Sequence, residues 1–370
     1  MSFGLLKHFK DLKKNSAEPV KAAHVRHIII GQDLGAVLKL IELKKNAPEE
    51  NVKLISSRPI NKQLLIENYQ FGISQLRSEE AVREIYTKRF DAKILPHNKD
   101  SLFYKDGKFH EFGGRAKSME ILNGEEFFVT KGYTVELSSL FAPEVWENLD
   151  QIISSAIDIR IFESIEKTDP QDLVEKNEWL LTFKDYQKMT CENLYISMSP
   201  KKFVNLLTNK EQLTPELIDF CTAVQVRTGL SVTWSLNKEI YPEERTLFIP
   251  QSMTHEWGHF IVEFENYNHS KKEQLCHVLF LIHEEEPQTE DLASKIKLMK
   301  RVLERVFPEL EKSIAKEYIR FDEEMFVSDI KDNLLEQLGF DYPTLKFVGQ
   351  VAPVSSSFSN EKYLSRVLLS

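Results

Sequence analysis

The residues best suited to chemistry fall in two stretches. His255-Glu256-Trp257-Gly258-His259 is a complete H-E-x-x-H, the spacing at which one helical turn offers two imidazoles to zinc while the glutamate activates a water. Met253, Trp257, Phe260, Ile261 and Phe264 would form one apolar face of such a helix, with both histidines on another. The residues also read as a loop running into a strand. Phe260-Ile261-Val262-Glu263-Phe264-Glu265 alternates as strands do, and Gly258 costs a helix about 1 kcal/mol relative to alanine. The longer H-E-x-x-H-x-x-G-x-x-H pattern breaks at Val262 and Glu265. A third ligand would have to come from His269, His277, His283 or Glu284-Glu285-Glu286, none at a diagnostic spacing. The loop, with hydrogen-bonded or solvated histidines, is the favoured reading; His277, alternating in an apolar run, reads as a satisfied core histidine.

The second stretch runs from Arg26 to Arg58. Ile28-Ile29-Ile30, then Gly31-Gln32-Asp33-Leu34-Gly35-Ala36, then Val52-Lys53-Leu54-Ile55-Ser56 read as strand, tight turn, helix and strand. This is the opening unit of a dinucleotide-binding domain. Against G-x-G-x-x-G, Gly31 matches, Asp33 stands at the second glycine and Ala36 at the third. Alanine nearly serves, because the third glycine exists for helix-on-strand packing. Aspartate does not: a carboxylate about 4 Å from a phosphate charge costs on the order of 1 kcal/mol in water and about 4 at an effective dielectric of 20. The sequence predicts instead that Asp33 caps the helix, accepting from the backbone N–H of Gly35 or Ala36. Where an acid usually holds a ribose hydroxyl, the second strand ends in Ser56 and Ser57 followed by Arg58, and serine bonds that hydroxyl less strongly.

The elements that must position these residues follow from periodicity. Residues 61–100 read as helical with loops, and Phe103–Phe128 as short strands with turns at Asp106-Gly107, Gly113-Gly114 and Asn123-Gly124. Helix is expected near 137–156, then strands at Ile157–Phe162, Trp179–Phe183 and Leu194–Met198. Leu230–Leu236, Thr246–Ile249, Phe260–Phe264 and Leu275–Ile282 form an antiparallel meander. Thr289 opens a helix whose Leu292, Ile296, Met299, Leu303 and Val306 share a face. A strand at Leu345–Gln350 and a helix near 359–369 close the chain.

A length of 370 residues and 42% hydrophobic content support a substantial core, and a net charge of −9 with pI near 5.7 argues against a nucleic-acid partner. The odd set Cys191, Cys221 and Cys276 lacks C-x-x-C spacing, so neither a disulfide framework nor a cysteine zinc site is expected. With no signal peptide and no apolar run long enough for a membrane span, the expected location is the cytoplasm. Leu5, Leu6, Phe9 and Leu12, ringed by lysines, make residues 3–14 a basic amphipathic stretch, read first as a docking arm and second as a contact for anionic lipid.

The order of elements resembles the flavoprotein amine-oxidase superfamily, which includes protoporphyrinogen oxidase and, without flavin chemistry, the Rab GDP dissociation inhibitors. His27–Ala36, the 230–310 sheet with its helix ending Arg305-Val306-Phe307-Pro308, and Leu345–Gln350 carry the resemblance. It implies an α/β chain: a Rossmann-like FAD/NAD(P)-binding domain and a second α+β domain built on an antiparallel sheet. The divisions are a 1–23 arm, a discontinuous dinucleotide domain of 24–60, 151–200 and 341–370, and a substrate-type domain of 61–150 and 201–340. The implied cofactor is FAD, its diphosphate held by the backbone of Gly31, Gln32, Asp33, Leu34 and Gly35. Ser56 or Ser57 would take the adenosine ribose, with Arg58 also counted among the cofactor-binding residues, and Gly349 and Gln350 the far phosphate or ribityl side. The ring would lie beneath the meander, near Trp234, His255, Trp257 and Phe260. The sequence departs from the superfamily pattern at Asp33, Ser56 and Gln350, where the late strand usually ends in an acid. Gly113-Gly114-Arg115 is read as a turn, not as the superfamily's Gly-Gly-Arg. No catalytic residue is named, since flavin chemistry belongs to the cofactor. The functions consistent with this reading are an amine-oxidase-type flavoenzyme, a non-catalytic binding protein on the same fold and, through the histidine motif, a zinc peptidase.

Overall fold

The computed structural model describes residues 22–61, 77–78, 87–88, 90–97, 101–112, 132–135, 151–169, 172–185, 187–208, 210, 213–223, 226–254, 258–282, 289–327 and 342–349. The basic arm at 3–14, Gly113-Gly114-Arg115, His255, Glu256, Trp257, His283, Glu284–Glu286, Gln350 and the closing helix lie outside them.

The first sheet is seven-stranded and is built around β1 (Ala23–Gly31). Its apolar run Ile28-Ile29-Ile30 is buried on both sides, as a central parallel strand requires. β1 lies between β2 (Val52–Ser56) and β11 (Lys188–Ser197), parallel to both. β8 (Gln151–Ile153) extends the sheet beyond β2. On the other side β9 (Ala156–Asp169) and β10 (Asp172–Phe183) run antiparallel. β11 changes partner along its length. Lys188–Cys191 pairs with β10, and Leu194–Ile196 pairs in parallel with β17 (Leu345–Phe347), so the tail of the chain joins the sheet that its beginning starts. Helix α1 (Leu34–Asn46) contacts β1 and β2 on one face. On the other, Ile28, Ile30, Leu194 and Ile196 pack with Phe203 of α2 (Pro200–Leu206) and with Leu217 and Phe220 of α3 (Pro215–Ala223). This is the Rossmann-like α/β layer.

The helix expected near 137–156 does not extend into 151–153, which form β8 instead, and the strand at 345 stops at Phe347. Pairing with β2 and with β11 decides both, overriding local propensity. In the stretch read as helical from 61 to 100, β3 (Arg77–Ser78) and β4 (Ile94–His97) pair with β7 (Gly132–Val135) in a small sheet.

The second sheet also has seven strands, in the order β16-β12-β15-β14-β13-β5-β6. These are β16 (Ile314–Val327), β12 (Val226–Leu236), β15 (Gln274–Ile282), β14 (Phe260–Phe264) and β13 (Thr246–Ile249). A hairpin of β5 (Leu102–Lys105) and β6 (Lys108–Glu111) completes it, turning at Asp106-Gly107 with both residues at positive φ. Leu230, Val232, Trp234, Phe260, Val262, Val278 and Phe280 form one face, covered by Met299, Val302 and Leu303 of α4 (Thr289–Val306), with α5 (Leu310–Ser313) following. The four antiparallel strands and α4 match the sequence reading, but only β13, β14 and β15 follow one another as a meander: β12 pairs with β15 and not with β13, and β16 flanks it without a local signal in the sequence.

Gln274, fully buried at the start of β15, holds the loop after β12 in place. Its side-chain carbonyl accepts from the N–H of Ile240 (2.8 Å) and Tyr241 (3.3 Å), and its amide donates to the carbonyls of Tyr241 (2.5 Å) and Glu265 (2.9 Å). Gln274→Ala orphans these buried groups, and a loss of about 2–4 kcal/mol is expected in urea unfolding.

Candidate functional site at the carboxyl edge of the parallel strands

Ligands of open α/β sheets bind beyond the carboxyl ends of the strands. Here the ends of β1, β2, β11 and β17 bring Gly31, Ser56, Ser197 and Gly349 to that edge. Gly31 lies opposite Ser197, and a Cβ on it would sit 2.5 Å from the Ser197 Cβ and 3.1 Å from that of Ala36. Alanine is thus accommodated at the third fingerprint position because Gly31 has no side chain. Gly35, in the first turn of α1, packs backbone to backbone on Gly349: a Cβ there would overlap the Gly349 Cα and lie 2.8 Å from its nitrogen. Gly349 has φ +86°, and a Cβ on it would run into the Ser197 hydroxyl and lie 2.7 Å from Asp33 Oδ2.

Asp33 is the N-cap of α1, as its type and position predict. Its Oδ1 accepts from the backbone N–H of Ala36 (2.9 Å) and from the Ser197 hydroxyl (2.5 Å). A negative oxygen therefore already sits where the helix N-terminus would meet an anion.

The ribose end is satisfied in the same way. Ser57 donates to Gln32 Oε1 (3.0 Å), tying the end of β2 to the turn after β1. Ser56, almost fully buried, donates to the carbonyl of Arg58 (2.6 Å) and accepts from the Gln151 amide. Gln151 also reaches the Arg58 carbonyl (3.0 Å) and accepts from the N–H of Ile60 (3.3 Å). Leu34 is buried and serves packing. The sequence reading did not name Ser197 or Gln151; the first closes a strand whose pairing is long-range, and the second was assigned to a helix.

These residues do not fit a bound dinucleotide diphosphate. The second glycine of the fingerprint exists so that backbone can approach the pyrophosphate, and here a carboxylate fills that approach and uses its donors. The thiols add no redox group: burial pushes Cys191 and Cys276 well above the ordinary range and Cys221 up to about 12.

The other candidates separate between the two faces of the second sheet. Trp234 and Phe260 do not line a site opposite the polar side chains. Both belong to the face under α4, where Trp234 donates from its indole nitrogen to Glu317 (2.7 Å). The strand alternation leaves Thr233, His277, Glu263 and Thr246 in one cross-strand row on the opposite face. His277 is a satisfied core histidine, its Nε2 donating to Glu265 (3.0 Å) and its Nδ1 hydrogen-bonded with the Thr233 hydroxyl (3.0 Å). Of the H-E-x-x-H motif only Gly258 and His259 are described. Gly258 has φ +140°, incompatible with a helical turn through His259, and His259 is buried against the rings of Phe103 and Phe248 just before β14.

No family model matches the sequence, and no curated protein is similar to it. Solved structures are similar along nearly the whole chain. Wild-type putrescine oxidase bound to putrescine matches with a TM-score of 0.59 at 9% identity, covering 94% of this chain and 98% of that one. An oxidoreductase from Methanosarcina mazei matches at 0.57 and 11% identity over 92% and 99%, and a putative protoporphyrinogen oxidase from Exiguobacterium at 0.55 and 8% over 95% and 98%. The chain shares the fold of these oxidases. Among the described residues no helix is long and apolar enough to cross a membrane.

The edge beyond the parallel strands makes a contrast of glycines. Intrinsic propensity favours alanine over glycine in helix α1 by about 1 kcal/mol, yet Gly35→Ala should destabilise by about 3 kcal/mol, because the contact it meets is backbone. Gly107→Ala, at φ +78° in open space, should cost only about 1–2 kcal/mol. Thermal and urea unfolding of the two variants measure the difference.

Proposed function

We propose that this chain is a non-catalytic binding protein on the amine-oxidase-type fold, working without flavin. The Asp33 carboxylate at the N-terminus of α1, bonded to Ala36 and Ser197, carries the reading. It supplies the negative oxygen that a cofactor phosphate would supply, and the internal bonds of Ser57 to Gln32 and Ser56 to Gln151 support it at the ribose end. The partner is a protein or small molecule rather than a nucleic acid, given the net charge of −9. Three unpaired, buried cysteines suit the reducing cytoplasm.

An FAD-dependent oxidoreductase of amine-oxidase type is the second reading. The close approach of Gly31, Gly35 and Gly349, which keeps the strand ends and helix of a nucleotide edge together, favours it. It requires Asp33 to leave the cap and yield the helix donors to the diphosphate.

Freshly purified protein is expected to lack the visible flavin bands and to show no thermal shift with FAD or ADP. Asp33→Gly keeps most of the capping energy and removes the repulsion of about 4 kcal/mol, so it should bind FAD or ADP on the order of a thousandfold more tightly than the parent chain. Stoichiometric flavin in the native protein overturns the proposal and establishes the second reading.

A further inference from the structure

We draw no further inference here: the strongest candidate, the buried polar cluster of Ser231, Thr233, His277 and Glu263 on the face of the second sheet turned away from α4, carries no proposal, because nothing among the described residues shows what covers that face or what the Ser231 hydroxyl would bond.

Discussion

The first turn of α1 sits directly on Gly349, with no side chain between Gly35 and that residue, and most of what distinguishes this edge follows from that contact. A Cβ at Gly35 would occupy the place of the Gly349 backbone, and one at Gly349 would meet Ser197 and Asp33. The contact draws the tail of the chain against its beginning and places Ser197, on the strand between them, within reach of the helix cap. Asp33 then completes the junction. Its carboxylate satisfies a helix N–H and a neighbouring hydroxyl together, and an anion from outside would have to displace both.

The neighbouring side chains follow the same logic of internal satisfaction. Gln151 reaches from β8 across the end of β2 to serve Ser56 and the carbonyl of Arg58, while Gln32 and Ser57 join the loops beyond β1 and β2. A polar edge that satisfies its own donors and acceptors is stabilised without a ligand. It retains the geometry of a nucleotide-binding layer while offering its groups to itself.

The second sheet shows how alternation divides labour. One set of its apolar residues faces α4, and the opposite parity carries buried Phe248, Ile261 and Leu279 together with the polar row Thr233, His277, Glu263 and Thr246, with bonds of Thr233 to His277 and Thr246 to Glu263. A one-residue change of register would exchange these faces. Trp234 and Phe260, read from the sequence as lining a cofactor ring, belong to the helix-covered side, while the row bearing titratable groups is on the other.

Local physics made several elements legible in the sequence alone. The unbroken Ile28-Ile29-Ile30 run marks a central strand, Asp33 caps the helix three residues from its N–H partner, and the four antiparallel strands, though not their order, follow from apolar runs separated by polar turns. These rest on interactions a few residues apart or on burial that a single run reveals. The tertiary structure alone decided the rest. Gln151 became strand because β2 offered it an edge, and β16, crowded with charge from Lys316 to Glu324, became strand because β12 lacked a partner on that side. Ser197 joined the Asp33 cap through a contact spanning 164 positions. No local pattern announces such pairings, since the free energy that selects them belongs to surfaces meeting from distant parts of the chain.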